Sequence, residues 1–373
     1  MSFIALDTEF VWQRTYYANL GLVQVGLAED FDSTRLPSAP PAALAFPAAT
    51  PERRAVRLLD PLHCDPATVG ALLRDASLVK ILHDAVQDLQ HLVRWCGGVL
   101  PVNVFDTRIA AGFCGMPSTV SLRQLLQEVV GIELPKTQTR TNWMRRPLSP
   151  DQLEYAADDV AYLGAARAWL LAKATALGTL GWMLEEMRVL DDPAHYAESC
   201  VRDAWRRVKV PVRAFRLPRQ LVRLRELAAW REETARSRNL PRSWVLDDKV
   251  LVAAALNPPG GPSAIPKQDL SRAFVAGFFD TLAVAETLPE EGLPDLGDTA
   301  TPGVREMATT LLKTLAEVAA EAHIDPALLG SRADAIQFCQ NPDDPAHPLN
   351  RGWRAALAGK LARNIIKPEG CLL

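Results

Sequence analysis

Strand-like and helix-like segments alternate along the first 200 residues of this chain. Three strand-like runs come first, with the sequences FIALDTEF, LGLVQVGLAE and AVRLLDP. They are followed by a helix from about Asp65, a short buried strand at Leu78–Leu82, a helix from about Asp84 to Trp95 and a strand at Val102–Phe105. This alternation predicts a sheet domain of the α/β class.

One stretch of this region does not fit the alternation. Residues 30–54 are rich in alanine and proline and lie between the second and third strand-like runs. Proline cannot donate a hydrogen bond to a sheet, so this stretch predicts an irregular insertion within the sheet domain.

The rest of the chain has helical patterning and predicts two further domains. A chain of 373 residues is also too long for one ordinary core. Residues 212–287 are helix-like around a loop at Asn257–Pro266, residues 289–303 are linker-like, and residues 304–373 are helix-like again. We therefore expect domains at residues 1–200, 212–287 and 304–373.

Composition excludes several classes of protein. The chain opens with MSFIALDTEF, which has no basic n-region and no small-residue cleavage site, and no apolar run reaches about 18 residues, so we expect neither a secretory signal nor a membrane span. The six cysteines are scattered, which indicates reduced thiols in a cytoplasmic protein. The net charge is −3, but from Arg202 to Lys249 there are fourteen basic residues against six acidic ones. This local excess fits either phosphate contact or a solvated helical surface.

Acidic side chains in three of the predicted elements are candidates for chemistry. Asp7 and Glu9 lie two residues apart in the first strand and therefore share one face, although an exposed edge strand has the same pattern. Asp84 is a natural N-cap for the next helix, and Asp88 lies one turn further on. The residues alone leave the choice between Asp84 and Asp88 open.

A third acidic position follows a strong helix start. In Ser149-Pro150-Asp151-Gln152, the serine is a predicted N-cap and the glutamine side chain can return to it. Tyr155 and Asp159 are spaced i, i+4 and share one face of this helix. Asp158 is rotated away, and we expect it to be solvated.

Carboxylates from a strand and two helices can converge on hard cations, which prefer oxygen ligands. Two such cations about 3.5–4 Å apart stabilise the attacking and leaving oxygens of a phosphodiester. The sequence contains no histidine–cysteine cluster, Walker loop or GxSxG motif that would favour another chemistry.

The motifs D-x-E, H-x4-D and Y-x3-D occur in this order, and the sequence around them includes LVQVG, KILHDAVQDLQHL, FDTRIAAGF and TNWMRRPLSPDQLEYAADDVAYL. With these motifs the chain resembles ribonuclease D, in the tyrosine-containing branch of the DEDD exonuclease superfamily. The resemblance covers residues 1–200 apart from the insertion. Residues 212–285 resemble the helical HRDC domain, and the last segment resembles the second HRDC-type module of that family.

The resemblance implies a ribonuclease H-like α/β domain with a mixed sheet, followed by two small all-α HRDC-type domains. It implies 3′-to-5′ hydrolysis of RNA to nucleoside 5′-monophosphates with two divalent ions, Mg²⁺ or Mn²⁺. The substrate would be RNA with a single-stranded 3′ end, such as tRNA precursors, with no membrane and no obligatory protein partner. In the matching motifs, Asp7, Glu9 and Asp159 would bind the first ion, Asp7 and Asp88 the second, and Tyr155 would orient the attacking water.

Further residues are candidate RNA contacts. Gln24 is an amide inside an apolar strand and needs a partner. His83 precedes the second acidic segment, and the PKTQTRTNWMRR stretch combines an aromatic with cations, which suits single-stranded RNA. That stretch contains Lys136, Arg140, Trp143, Arg145 and Arg146. The basic helical segment adds Trp230, Arg231, Arg236, Arg238, Arg242 and Trp244. Each has a plain structural interpretation as well.

Two other functions remain open at this level. The same metal chemistry serves 3′-to-5′ DNA exonucleases, and no residue in the sequence must recognise a 2′-hydroxyl group. A noncatalytic RNA-binding protein is the second alternative. The intact set of motif residues argues against it.

Overall fold

In the computed structural model, five strands form one sheet. They are β1 (Phe3–Val11), β2 (Asn19–Leu27), β3 (Val56–Leu59), β4 (Val79–Leu82) and β5 (Val104–Asp106). Their order is β3-β2-β1-β4-β5. Strand β4 is parallel to both β1 and β5, and β3 is antiparallel to β2. The sheet is therefore mixed, and β1 lies at its centre.

The structure describes residues 2–36, 44, 50–134, 141–211, 214–265, 270–294, 296 and 300–366. The chain forms two units. The first comprises residues 1–10, 20–196 and 300–373, and the second comprises residues 11–19 and 197–299.

Helices of the first unit follow the strands in alternation, as the sequence predicted. They are α1 (Pro51–Arg54), α2 (Pro66–Leu73), α3 (Ala85–Trp95), α4 (Thr107–Gly112), α5 (Leu122–Val129), α6 (Pro150–Ala161), α7 (Leu163–Leu177) and α8 (Leu180–Met187). The carboxylate of Asp65 caps α2, and Ser149 and Gln152 form the predicted capping box of α6.

The centre of the sheet is mostly apolar, although Lys80 of β4 is also fully buried. Every residue of β4 is buried, as are Ile4, Ala5 and Leu6 of β1. Such continuous burial is expected of strands covered on both faces. In the register of the parallel strands, Ala5 pairs with Ile81, so Asp7 lies near the end of β4, from which the chain enters α3.

Only part of the insertion at residues 30–54 is described. That part includes a short 3₁₀ turn at Ser33–Arg35 and helix α1, which Thr50 caps. The sequence predicted an irregular segment and did not predict α1. Residues 37–43 and 45–49 lie outside the described residues.

The second unit contains helices α9 (Pro218–Arg238), α10 (Arg242–Val245), α11 (Asp248–Leu256) and α12 (Arg272–Thr287). Their core includes Leu227, Leu251 and Phe278, all fully buried. Residues 11–19, which the sequence assigned to the first domain, group with these helices.

The C-terminal helices of the first unit are α13 (Pro302–Glu321), α14 (Arg332–Gln340), α15 (Gly352–Arg354) and α16 (Lys360–Ile366). Trp353 stacks on Trp182 with 5.9 Å between ring centroids, and both terminal nitrogens of Arg354 donate to the Glu186 carboxylate. These helices thus pack on the sheet's own helices. Their limits as a separate domain, residues 304–373, stay a prediction.

Several basic side chains proposed as RNA contacts have partners within the second unit. Arg231 is 3% exposed and donates to Asp248, and Arg236 and Arg242 both donate to the buried carboxylate of Glu232. Burial and pairing rule out Arg231 as a surface contact and give Arg236 and Arg242 structural roles. Arg238 and Trp244 are exposed.

Five of the six cysteines lie within the described residues. Cys64, Cys96, Cys114, Cys200 and Cys339 are free thiols, and Cys371 lies outside the described residues. Within the described part of the chain, no helix is long and apolar enough to cross a membrane.

Candidate active site

Asp7 and Glu9 lie on one face of the central strand β1. Leu6 is fully buried and Thr8 nearly so, whereas Asp7 and Glu9 are partly exposed. Since β1 has a neighbour on each side, the alternative of an exposed edge strand is wrong. A carboxylate in such a position requires a compensating partner.

The structure distinguishes between the two aspartates of α3. Asp88 is 9% exposed and accepts a 2.5 Å hydrogen bond from the Thr8 hydroxyl, which places it beside the acidic strand. Asp84 is 66% exposed and forms an ion pair with Arg108. Asp84 occupies the N-cap position of α3, but its side chain caps nothing. The carboxylate of Asp106 instead accepts from the backbone N–H of Asp84 and of Ala85.

Tyr155 and Asp159 share a face of α6, as their spacing predicted. The Tyr155 hydroxyl and the Asp159 carboxylate interact closely enough for each group to shift the pKa of the other. Burial, followed by the charge of Asp159, raises the pKa of Tyr155 well above its usual value. The tyrosine therefore stays protonated at neutral pH.

Carboxylates from β1 and α6 converge. Oxygens of Asp7, Glu9 and Asp159 all lie within 4.8 Å of one another. The charge of Asp88 also acts on Asp7 and Glu9, so the fourth acid is close by. The structure thus brings together all four acidic residues that the sequence singled out.

Electrostatics make this cluster costly in the absence of a cation. Burial, reinforced by the neighbouring carboxylates, raises the pKa of Asp7 and brings the pKa of Glu9 to about 9. Burial likewise raises the pKa of Asp159 to about 8 and that of Asp88 to about 7. Hard oxygen donors that repel one another in a sheltered site are the donor set that Mg²⁺ and Mn²⁺ take.

Gln24 of β2 is fully buried beside this cluster. Its side-chain nitrogen donates to Asp7 at 3.2 Å, and its side-chain oxygen has no partner among the described residues. The predicted contact between Gln24 and RNA is therefore wrong, because solvent and substrate do not reach the amide. Gln24 instead orients a carboxylate.

His83 is a satisfied imidazole. Its Nδ1 bonds the Thr107 hydroxyl at 2.9 Å and its Nε2 bonds the carbonyl oxygen of Val120 at 3.1 Å. Burial lowers its pKa. Both ring nitrogens therefore have partners within the protein. Nothing in the structure tests contact between His83 and RNA, which stays a prediction.

The guanidinium of Arg146 is hydrogen-bonded to several segments of the domain. Its Nε and Nη2 donate to the Asp60 carboxylate, and the other donors bond the carbonyl oxygens of Trp143, Arg145 and Gly21 at 2.7–2.9 Å. All five guanidinium N–H groups are thereby used. These bonds give Arg146 a structural role, and its phosphate contact stays a prediction.

Trp143 packs inside the domain. It is 1% exposed, and its ring centroid lies 6.2 Å from that of Tyr155. Burial excludes its predicted stacking on RNA, and Trp143 instead supports the tyrosine. Arg145 is exposed and stays a candidate, whereas Lys136 and Arg140 lie outside the described residues.

Asp158 is buried, so the expectation of a solvated side chain is wrong. It is 3% exposed and accepts two 2.8 Å hydrogen bonds from Arg53 of helix α1. Arg53 also lies 3.6 Å from Glu154. The insertion is thereby tied to the helix that carries Tyr155 and Asp159.

A cavity of about 260 Å³ adjoins the cluster. Tyr155 and Asp159 line it together with the apolar side chains of Leu122 and Leu134. It therefore offers an apolar wall next to the carboxylates, which suits a nucleobase or a sugar.

The fold and this site define a 3′-5′ exonuclease. The family model described as 3′-5′ exonuclease matches residues 41–170, and the HRDC domain model matches residues 220–267. Ribonuclease D of Desulfotalea psychrophila is 36% identical over 90% of this chain and 85% of its own length. Ribonuclease D of Xanthomonas oryzae pv. oryzae is 33% identical over 98% of this chain and 91% of its own length.

The chain belongs to the ribonuclease D family and is a 3′-to-5′ exoribonuclease. The crystal structure of Escherichia coli RNase D, an exoribonuclease involved in structured RNA processing, superposes with a TM-score of 0.80 at 31% identity. That match covers 98% of this chain and 92% of the other. The expected fold class, an exonuclease domain with a mixed sheet followed by HRDC-type helices, is confirmed.

Proposed function

We propose that Asp7, Glu9, Asp88 and Asp159 hold two divalent cations, Mg²⁺ or Mn²⁺, for hydrolysis at RNA 3′ ends. Asp7, Glu9 and Asp159 form the first set of ligands, and Asp7 and Asp88 serve the second. The single observation that carries this proposal is the convergence of three carboxylates within 4.8 Å. When bound, such cations supply Lewis-acid stabilisation of the phosphate oxygens.

The chain's own residues orient the reactants. The ring of Tyr155 packs against Trp143, and its hydroxyl lies beside the Asp159 carboxylate. As a protonated hydroxyl it acts as a hydrogen-bond partner that positions the attacking water, and it does not act as a base. The side-chain nitrogen of Gln24 donates to the Asp7 carboxylate and holds its orientation.

We assign the cavity beside Tyr155 to the 3′-terminal nucleotide. Leu122 and Leu134 provide apolar surface for its base, and Arg145 is an exposed cation available to a phosphate further along the strand. The proposed substrates are RNAs with single-stranded 3′ ends, such as tRNA precursors, in the cytoplasm.

The test is an exonuclease assay on 5′-labelled RNA with a single-stranded 3′ tail, alongside DNA of matched sequence. Wild type with Mg²⁺ or Mn²⁺ is expected to give a descending RNA ladder, and Asp159→Ala none. Asp151→Ala is the matched control, since Asp151 is an exposed acid in the first turn of the same helix. Its ladder should equal that of wild type.

Other outcomes contradict specific parts of the proposal. RNA shortening by Asp159→Ala would remove that residue from the metal site. Shortening of DNA but not of RNA would overturn the proposed substrate. Full activity in excess EDTA would exclude the requirement for metal.

A further inference from the structure

A second cavity, of about 500 Å³, lies at the opposite end of the parallel strands. Val79 and Val104, the first residues of β4 and β5, line it. The acidic cluster lies near the other end of β4, where the chain enters α3. The cavity therefore shares no lining residue with the site described above.

Arg167 of α7 lines this cavity and forms no ion pair with any of the described residues. Its guanidinium carbon lies 5.4 Å from the centre of the Phe105 ring, and its Nε–H is buried with no acceptor among the described residues. No ion pair or hydrogen bond of its side chain is found within the same residues. Burial alone acts on its pKa and lowers it, and no carboxylate offsets that effect.

A sheltered guanidinium without an acceptor is energetically unfavourable. Burial of an unpaired polar group is destabilising, and the cost for a charge is higher than that for a neutral group. Native proteins generally satisfy such groups, so a guanidinium that lines a cavity with no ion-pair or hydrogen-bond partner among the described residues is a candidate to bind an anion there.

The remaining lining supplies a second cation and an apolar wall. Arg188 is exposed and lines the same cavity, which contains one acid, Asp191. The side chains of Leu184 and Met187 are apolar. Two arginines match the planar, multidentate geometry of a phosphate group.

We propose that this cavity binds a phosphate-bearing anion of nucleotide size. Arg167 donates to the phosphate from inside the cavity, and Arg188 donates from its rim. The apolar walls contact the rest of the ligand. The volume lies within the range of roughly 300–1,000 Å³ that is usual for small-molecule sites.

Calorimetric titration of the full chain in EDTA tests this site without hydrolysis. The ligands are 5′-AMP, inorganic phosphate and adenosine, so that the phosphate and nucleoside parts are measured separately. We expect 5′-AMP to bind more tightly than phosphate, and adenosine to show no measurable binding. Adenosine binding as tight as that of 5′-AMP would overturn the proposal, because the phosphate would then contribute nothing.

Variants locate the binding. Arg167→Leu should weaken 5′-AMP binding about tenfold or more, since it removes charge-assisted hydrogen bonds to the phosphate. Arg188→Leu should weaken it by a smaller factor. Arg332→Leu removes an exposed arginine from α14 and should bind as wild type does.

Two controls keep the test decisive. Circular dichroism checks that each variant folds, and Arg167→Lys, which retains the charge but not the fork, should give an intermediate affinity. If Arg167→Leu does not fold, the lysine variant and Arg188→Leu decide. Unchanged 5′-AMP affinity in these variants, or no 5′-AMP binding by wild type, would overturn the site. Neither result bears on the exonuclease assay, which uses metal and RNA.

Discussion

At the scale of single residues, the side chain of Gln24 connects the core of the sheet to the acidic cluster through a hydrogen bond to Asp7. It is fully buried, donates to Asp7 and leaves its own oxygen unpartnered among the described residues. A buried amide whose oxygen lacks a partner contributes little to stability, so we attribute the role of Gln24 to the orientation of Asp7.

Replacement of this amide should therefore separate activity from stability. Gln24→Leu removes the hydrogen bond to Asp7 and fills the same space with apolar atoms. We expect kcat to fall about tenfold, which corresponds to about 1.4 kcal/mol, while the melting temperature stays the same or rises. Steady-state kinetics and thermal melts measure both. An unchanged kcat would show that Asp7 needs no such support.

Tyr155 gives a second prediction at this scale. Tyr155→Phe keeps the ring beside Trp143 but removes the hydroxyl that lies next to Asp159. We expect kcat to fall on the order of 100-fold with little change in KM or stability, as for the loss of one positioned polar group at a reacting centre. A fall in the melting temperature that accounts for the lost activity would instead make the tyrosine structural.

At the scale of elements, helix α6 was predictable because its signals are local. Ser149, Pro150 and Gln152 lie next to the helix that they start, and the i, i+4 spacing of Tyr155 and Asp159 fixes their common face. The pattern of the residues also singled out Asp7, Glu9 and Asp159, whereas the choice of Asp88 over Asp84 came only from the family resemblance.

Features that depend on distant partners were not predictable in this way. Asp158 is buried because Arg53, 105 residues earlier, pairs with it from a helix inside the proline-rich stretch. The same limit applies to Asp84 and Arg146. The carboxylate of Asp106 accepts from a backbone N–H at the N-terminus of α3. Arg146 donates to the carboxylate of Asp60 and to the carbonyl oxygen of Gly21. No local pattern encodes these partners.

The pair between α1 and α6 predicts a non-additive effect on stability. Arg53→Met leaves the Asp158 carboxylate buried without its partner, which should cost about 3 kcal/mol of unfolding free energy. Arg53→Met combined with Asp158→Leu removes both charges and should recover most of that loss. Urea unfolding of the two single variants and the double variant measures the coupling. Strict additivity would contradict a direct interaction.

At the scale of the whole molecule, the two units should differ in their response to acid. In the second unit, burial alone would raise the pKa of Glu232, but hydrogen bonds from Arg242 and Tyr16 outweigh it and hold the pKa at about 2. A carboxyl group whose pKa is lowered in the folded state stabilises that state at pH values above the pKa of the unfolded chain, which is near 4.5 for glutamate. That contribution is lost as pH falls from about 4.5 towards 2.

Thermal melts between pH 6 and pH 2.5 measure this loss. Wild type should show a falling melting temperature for the second unit across that window. Glu232→Gln should be less stable at neutral pH and less sensitive to acid. Equal pH dependence in both proteins would show that Glu232 does not control acid stability.

The central claim is that the four clustered acids of the first unit bind divalent cations, and counting bound ions tests it most directly. Titration of metal-free protein with Mn²⁺, followed by electron paramagnetic resonance of the free ion, gives the number bound. We predict two Mn²⁺ ions per chain for wild type and for Asp151→Ala, and loss of tight binding in Asp159→Ala. Equal Mn²⁺ binding by wild type and Asp159→Ala, or none by wild type, would contradict the account.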